Sequence, residues 1–342
     1  MLALVKVDSK RGLNLIQMPE PKIREKDEVL VEIGACGICG ADVNAYLSTK
    51  RTLSRVAQYG LPYRLGHEIG GTVREVGEEV TEFKEGDLVV CHSMPPCGFC
   101  FYCIRGQTNL CINSGKKIEG YARYVVVTPL YLFKLPESVS IEEAALVEPL
   151  GVVLRAIERV HLKPGDSVLI IGPGPLGILA AILLKSTGIQ TLVVAGRKTS
   201  RERLKIAAET GAMTVEISGD NLQEEIRALT AGLGVDVVFD FTGNSEVLGE
   251  AIKLVRSGGE IVIIAGGETA GEFDQNQIVA KELTIMGTRH LQSSTWHRAI
   301  NLVASQALNL RKVITHTLPL EEYEKAFQLL LDRKALKIVL VP

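Results

Sequence analysis

The sequence has little that would mark a protein of membranes, nucleic acids or the extracellular space. Its longest apolar run, residues 168–184, is broken by Gly-Pro-Gly-Pro at 172–175, which a membrane-spanning helix would rarely carry. The net charge is only −2, with no long basic run, which argues against nucleic acid as the main partner. Residues 1–8 lack the layout of a signal peptide. We therefore expect a cytoplasmic protein without a membrane or nucleic-acid partner.

The cysteines do not suit a disulfide framework, because there are seven and four of them share one short loop. Cys97, Cys100, Cys103 and Cys111 follow the pattern Cys-x2-Cys-x2-Cys-x7-Cys. Such spacing lets one loop wrap a tetrahedral zinc at about 2.3 Å per Zn–S bond, and four thiolates leave no open position. The loop 91–111 is therefore predicted to hold a structural zinc, with an iron–sulfur cluster as the rival interpretation.

Length and pattern predict an α/β chain with two domains, since 342 residues are too many for one comfortable core. Short strands with glycine turns, such as residues 29–33 and 70–90, predict a small β-barrel in the first half. Strands that alternate with helical segments from residue 167 onwards predict a doubly wound parallel sheet. The predicted parts are residues 1–149, residues 150–290, and a tail of residues 291–342 that returns to the first domain.

A candidate catalytic metal site involves Cys39, His67 and Glu68. All three are zinc ligand types, and a catalytic zinc takes three protein ligands and keeps one position open. Glu148 is a fourth candidate in a helix-like, mostly apolar stretch that we expect to be interrupted at Pro149. A buried carboxylate there needs a partner such as a metal. A surface glutamate at a helix end is an equally good interpretation.

A nucleotide-binding turn is predicted at Gly172, Gly174 and Gly177. An apolar strand precedes this Gly-x-Gly-x-x-Gly pattern, an apolar helix follows it, and a second strand comes about twenty residues later. In that context the glycines allow the tight turn, the approach of the pyrophosphate and close packing of helix on strand. Ligands bind at the carboxyl ends of such strands, so the nicotinamide side is predicted to be lined by Thr242, Ala265, Gly266, Gly267 and Thr288.

The end of the second strand favours NADP over NAD as the cofactor. It reads Ala-Gly-Arg197-Lys198 and lacks the acid that usually binds the ribose hydroxyls of NAD. Arg197, Lys198 and Arg201 are available for a 2′-phosphate. The alternative is an ordinary solvated loop with NAD held by other contacts.

Taken together, these motifs resemble the zinc-dependent medium-chain dehydrogenases over nearly the whole chain. The branch that fits most closely is that of the sorbitol (polyol) and threonine dehydrogenases, because Glu-Pro-Leu stands at 148–150. The resemblance implies a GroES-like catalytic domain, a Rossmann domain, one catalytic and one structural zinc, and a homodimer or homotetramer. The pieces that carry it are residues 37–42, 66–68, 97–111, 148–150 and 172–177.

The same resemblance implies roles for single residues. Cys39 and His67 would bind the catalytic zinc, with Glu68 or Glu148 as third ligand. Arg289 would lie near the substrate. Contacts to the cofactor are implied for Leu176, on the pyrophosphate turn, and for Arg197 and Arg203, at the adenosine end.

One departure from the family concerns the proton relay. The family commonly has Ser or Thr two residues after the zinc cysteine and His three beyond that, but this chain has Ala41 and Asn44. The relay would then use a zinc-bound water, Glu148, Tyr46 or Ser48, or catalysis would be impaired.

The predicted function is zinc-dependent oxidation of a secondary alcohol, such as a polyol, to a ketone, with hydride transfer to NAD(P). The alternatives are an enzyme like L-threonine 3-dehydrogenase and an NAD(P)-binding redox sensor without turnover. A nucleic-acid zinc module at the four-cysteine loop fits the charge poorly. Residues 48–64 are rich in Arg, Lys, Tyr and Ser, which suits a polar or phosphorylated substrate or an exposed loop equally well.

Overall fold

The computed structural model describes residues 1–115, 118–219 and 221–342. The chain divides into two compact units, which we describe separately. Unit 1 consists of Met1–Gly151 together with Leu291–Pro342, and unit 2 consists of Val152–His290. Each unit has its own cluster of buried apolar side chains.

The first part of the chain is built mainly from short strands. In β3 the inward-facing Val29, Val31 and Ile33 are almost completely buried, which gives the period of two that a half-buried strand requires. In chain order the elements are β1 (Leu2–Lys6), β2 (Asn14–Gln17), β3 (Val29–Gly37), α1 (Gly40–Leu47), α2 (Lys50–Tyr59), β4 (Tyr63–Arg64), β5 (Glu68–Val76), β6 (Leu88–Cys91), β7 (Tyr124–Val127), β8 (Leu132–Lys134), α3 (Ile141–Ala144) and α4 (Val147–Ile157).

The expected interruption of a helix at Pro149 is wrong. α4 continues through Pro149, and the backbone N–H of Leu150 donates to the carbonyl of Leu146 at 2.9 Å. Pro149 is the third residue of α4, where a backbone N–H has no acceptor within the helix, so its absence costs nothing. The break lies earlier, between α3 and α4.

Unit 2 is a parallel sheet with helices between its strands. Its elements are β9 (Ser167–Ile171), α5 (Pro175–Lys185), β10 (Thr191–Arg197), α6 (Arg201–Ala208), β11 (Met213–Ile217), α7 (Asn221–Leu229), β12 (Val235–Asp240), α8 (Val247–Leu254), β13 (Val255–Ile263), α9 (Gln275–Ala280) and β14 (Thr284–Gly287). All neighbours are parallel, in the order β11-β10-β9-β12-β13-β14. The predicted doubly wound sheet is confirmed. Its strand order reverses beside β9, where such sheets bind ligands.

The tail adds α10 (Ser293–Ala304), β15 (Ile314–Pro319), α11 (Tyr323–Leu331) and β16 (Lys337–Val341) to unit 1. β16 pairs with β3 in antiparallel fashion, with Val339 opposite Gly37 and Leu340 opposite Cys36. The main sheet of unit 1 therefore has the order β15-β16-β3-β5-β6-β8, with β7 also paired to β3. This register brings the start of β16 to the end of β3, next to Cys39.

Candidate active site

Strand pairing brings three of the predicted zinc ligands together in unit 1. Cys39 follows β3 and is the N-cap of α1, while Glu68 opens β5 and stands opposite Gly37 in the β3–β5 ladder. His67 directly precedes Glu68. The ligand atoms of Cys39, His67 and Glu68 all lie within 4.8 Å of one another. One sulfur, one nitrogen and one oxygen at such spacing fit a zinc with an open fourth position.

Glu148 lies near this group but is not within the 4.8 Å set. It is in the first turn of α4 and is only 6% exposed, so the interpretation as a surface glutamate is wrong. Burial raises the pKa of Glu148 to about 7. The electrostatic interaction with His67 opposes this increase, and that with the Glu68 carboxylate adds to it. A buried carboxylate beside three metal-ligand side chains is therefore part of the same site.

Glu68 has a buried partner that the sequence analysis missed. Lys337, the first residue of β16, donates to both carboxylate oxygens of Glu68 at 2.7 Å and 2.6 Å, and also to the carbonyl of Ile38 at 3.0 Å. Burial lowers the pKa of Lys337, but Glu68, Cys39 and Glu148 together outweigh burial and raise this pKa overall. A lysine inside the apolar run of a closing strand was the one signal available in the sequence.

A third buried carboxylate besides Glu68 and Glu148, that of Asp42, contacts the segments that carry the ligands. It accepts from the backbone N–H of Cys39 at 3.0 Å, from that of Gly66 at 3.4 Å, and from the hydroxyl of Tyr121 at 2.9 Å. Its Oδ1 atom also lies 3.8 Å from Nδ1 of His67. Carboxylates in this position orient metal-binding histidines. The sequence analysis assigned Asp42 no role.

The residues considered for a proton relay lie in α1 or directly after it. Ala41 and Asn44 are half-buried residues of α1. The Tyr46 ring stacks on that of Phe327 at 4.8 Å, and the Ser48 hydroxyl donates to the carbonyl of Lys10 at 2.6 Å. The Ser48 hydroxyl and the Tyr46 ring are thus both in contact with other parts of unit 1. In residues 48–64, the side chains of 55, 58 and 59 lie outside the described part of the structure.

The four-cysteine loop forms a second cluster in unit 1. The Sγ atoms of Cys100 and Cys103 are 3.5 Å apart, those of Cys100 and Cys111 3.9 Å, and those of Cys97 and Cys103 4.0 Å. Four sulfurs at about 2.3 Å from one tetrahedral ion would be about 3.8 Å apart. The spacing therefore fits a single ion and leaves little room for a cluster of several irons.

The glycine turn of unit 2 lies at the carboxyl end of β9. Gly174 is the N-cap of α5, so the free N–H groups of the helix begin at this turn. A Cβ at Gly177 would overlap the carbonyl oxygen of Gly172, which shows why the helix can approach the strand only with glycine there. Leu176 lies in the first turn of α5. The turn therefore has the form that cradles a pyrophosphate.

The other predicted cofactor residues follow the ends of neighbouring parallel strands, at one edge of the sheet. Arg197 ends β10 and is exposed, and Arg203 lies on α6. The Thr288 hydroxyl oxygen is buried and has no hydrogen-bond partner among the described residues. Arg201 is already engaged, because its guanidinium binds Glu216 in a bidentate manner at 2.7 Å and 2.8 Å. β12 is followed by Thr242, and β13 is followed by Ala265, Gly266 and Gly267. The exposed Arg289 follows Thr288.

Among the described residues, no helix combines the length and the apolar character needed to cross a membrane.

Residues 25–137 match the family described as alcohol dehydrogenase GroES-like domain, which confirms the expected GroES-like fold in the first part of the chain. Residues 175–305 match the family described as zinc-binding dehydrogenase.

Proteins similar over the full length include dehydrogenases of different substrates. L-threonine 3-dehydrogenase of Bacillus subtilis (strain 168) is 33% identical, over 100% of this chain and 99% of that protein. Sorbitol dehydrogenase of Halalkalibacterium halodurans is 32% identical with the same coverage. The crystal structure of 2R,3R-butanediol dehydrogenase from Bacillus subtilis superposes with a TM-score of 0.86 at 32% identity, covering 100% of this chain and 99% of that one.

Proposed function

The chain belongs to the zinc-dependent medium-chain alcohol and polyol dehydrogenases, and on this premise we propose that it oxidises a secondary alcohol to a ketone at Cys39, His67 and Glu68. The observation that carries the proposal is the convergence of these three ligand atoms within 4.8 Å, beside the buried Glu148. A zinc bound there supplies Lewis-acid chemistry, which favours loss of the alcohol proton.

The protein's own groups divide the remaining work. Cys39, His67 and Glu68 hold the metal, and Lys337 balances the charge of Glu68. Asp42 keeps both ligand segments in place through its backbone contacts. Glu148 accepts the alcohol proton, because it is buried beside the metal ligands with its pKa raised to about 7, whereas Ala41 carries no proton-transferring group and the Ser48 hydroxyl donates to Lys10. Arg289 contacts the substrate.

The cofactor is a nicotinamide dinucleotide, and within the proposal it is NADP rather than NAD. Support comes from the glycine turn, from the Thr288 hydroxyl, which has no hydrogen-bond partner in the described part of the chain, and from the exposed Arg197 at the end of β10. Arg203 lies in the first turn of α6, the α-helix that follows β10. A planar guanidinium suits a 2′-phosphate, and no acid competes at this strand end. A nicotinamide dinucleotide bound at this edge would supply the acceptor for the hydride that leaves the carbinol carbon.

Two other functions rest on specific observations. Threonine 3-dehydrogenases and sorbitol dehydrogenases are equally similar to this chain, at 33% and 32% identity, so threonine stays a candidate substrate. A redox sensor without turnover is motivated by Ala41. The open metal position argues against a sensor, which would not need one.

We also infer a homodimer or homotetramer that works in the cytoplasm. Apolar side chains of the four-cysteine loop are strongly exposed, including Phe99 at 72% and Ile112 at 68%, which suits contact with another copy. All seven cysteines are free thiols, as a reducing compartment would keep them. Light scattering coupled to size exclusion tests the assembly.

The testing experiment is reduction of NADP and of NAD by zinc-loaded protein, offered polyols, threonine and simple secondary alcohols. We expect chelator-sensitive reduction with one class of alcohol. Tight cofactor binding without reduction, unchanged in Ala41→Ser, would contradict the proposal. Reduction that appears only in Ala41→Ser would favour the sensor.

A further inference from the structure

The hydroxyl of Tyr121 is a buried polar group to which neither the metal nor the cofactor chemistry gives a role. Tyr121 is 1% exposed and lies in the main apolar cluster of unit 1. Its hydroxyl lies 2.9 Å from Oδ2 of Asp42, itself 1% exposed, and 3.4 Å from the carbonyl oxygen of Gly37. A hydroxyl placed in such surroundings must have a compensating acceptor, and here that acceptor is Asp42.

Asp42 links the two chain segments that carry the proposed zinc ligands. One segment contains Cys39, whose backbone N–H donates to Oδ2, and the other begins at Gly66, whose backbone N–H donates to Oδ1. His67 follows Gly66 directly, and its Nδ1 atom is 3.8 Å from the same Oδ1. A rotation of the Asp42 carboxylate would therefore disturb both segments at once.

Tyr121 also contacts the second segment through its own backbone and ring. Its N–H donates to the carbonyl of Leu65 at 3.3 Å, and the N–H of Gly120 donates to that of Gly66 at 3.1 Å. Gly66 has φ +84°, and a Cβ built there would lie 2.9 Å from a ring carbon of Tyr121. The ring thus occupies the space that a side chain at position 66 would need.

We propose that Tyr121 is a positioning residue for the catalytic metal site, acting through Asp42. Its hydroxyl supplies the third donor to a carboxylate whose other two donors are the backbones of Cys39 and Gly66. With that donor removed, a fully buried carboxylate keeps an unsatisfied lone pair and turns toward another partner, which loosens the Cys39 and His67 segments. The inference rests on the proposed function, since it takes Cys39 and His67 as zinc ligands.

The test is the zinc affinity of Tyr121→Phe, measured by competition with a chromophoric chelator. The four-cysteine loop of the same chain is the internal reference, because it does not contact Tyr121 in any described hydrogen bond. Tyr323→Phe is the matched control, since it removes a hydroxyl of the same unit whose described hydrogen bonds go to the carbonyl of Leu13 at 3.0 Å and to Glu324, and not to Asp42. We expect the zinc at Cys39, His67 and Glu68 to bind about 10- to 100-fold less tightly in Tyr121→Phe than in the wild type. The affinity of the four-cysteine loop for zinc should be unchanged.

A double-mutant cycle with Asp42→Asn separates this role from general loosening. If Tyr121 acts through Asp42, the double variant binds the catalytic zinc about as weakly as Asp42→Asn alone. Equal zinc affinity in Tyr121→Phe and wild type, or fully additive losses, would overturn the inference. So would a Tyr121→Phe protein that also loses the four-cysteine zinc, because the hydroxyl would then serve folding. A wild type with only one zinc per chain would instead refute the proposed function.

Discussion

Lys337 and Glu68 form a buried ion pair at the proposed metal site, with Nζ 2.7 Å and 2.6 Å from the two carboxylate oxygens. Their side chains are only 3% and 2% exposed. The pair joins the last strand of the chain to the strand that carries Glu68. It therefore couples closure of the sheet of unit 1 to the charge balance of the site.

Replacing Lys337 by Met should destabilise the metal-free protein by about 3–5 kcal/mol, because Glu68 would stay buried without its partner. Lys325→Met is the control, since Lys325 pairs with Glu322 at 2.6 Å but both side chains are largely exposed. That change should cost less than about 1 kcal/mol. Urea unfolding measures both, and equal effects would contradict a special role for the buried pair.

Stability of the metal-free protein should fall as the pH rises through about 7, because of Glu148. Its folded pKa of about 7 lies above the ordinary value of 4.5, so the folded state binds the extra proton between these values. The stabilisation is fully present below pH 4.5 and is lost above pH 7, with a size on the order of 3 kcal/mol. Glu148→Gln should remove this pH dependence, whereas the exposed-site control Glu137→Gln should keep it. Identical pH profiles of wild type and Glu148→Gln would contradict the prediction.

Arg197→Ala should weaken NADP binding about 10- to 100-fold, the loss expected for charge-assisted hydrogen bonds of about 1.5–3 kcal/mol. NAD affinity should change little, since NAD lacks the 2′-phosphate. Arg201→Ala should have the smaller effect on NADP, because Glu216 already occupies that guanidinium. Fluorescence titration with both cofactors is the measurement, and a parallel loss for NAD and NADP would contradict it.

Cys100→Ser should remove one zinc per chain and lower the melting temperature, because the structural site would lose a ligand. Cys91→Ala is the control, as Cys91 is buried in β6 outside both metal-ligand groups. Metal analysis together with thermal unfolding measures the effect. Full zinc content in Cys100→Ser would exclude the four-cysteine site as a zinc site.

The sequence could predict what local pattern determines. Cys-x2-Cys spacing and the Gly-x-Gly-x-x-Gly turn contain their geometry within a few residues, and the buried strands of unit 2 read as apolar runs. The fold class therefore followed from motifs. Pro149 was misjudged because the prediction placed the helix start too early, and a proline is harmless once the helix begins two residues before it.

The supports of the site could not be predicted, because they depend on pairings between distant segments. Lys337 reaches Glu68 across 269 positions through the β16–β3 ladder, and Tyr121 reaches Asp42 across 79. The contact of Tyr121 with Asp42 leaves no local pattern in the sequence, and a lysine in the apolar run of the last strand does not identify its partner. The burial of Glu148 could not be predicted either, since a residue at the start of a helix can face solvent or the core.

The most direct test of the account is the Cys39→Ser variant, examined for zinc content and alcohol oxidation together. We expect zinc to fall from two ions per chain to one, with the four-cysteine site still filled, and turnover to fall at least about a hundredfold, on the order of 3 kcal/mol in the barrier. Undiminished alcohol oxidation by a Cys39→Ser protein with normal zinc content would contradict the role of this site.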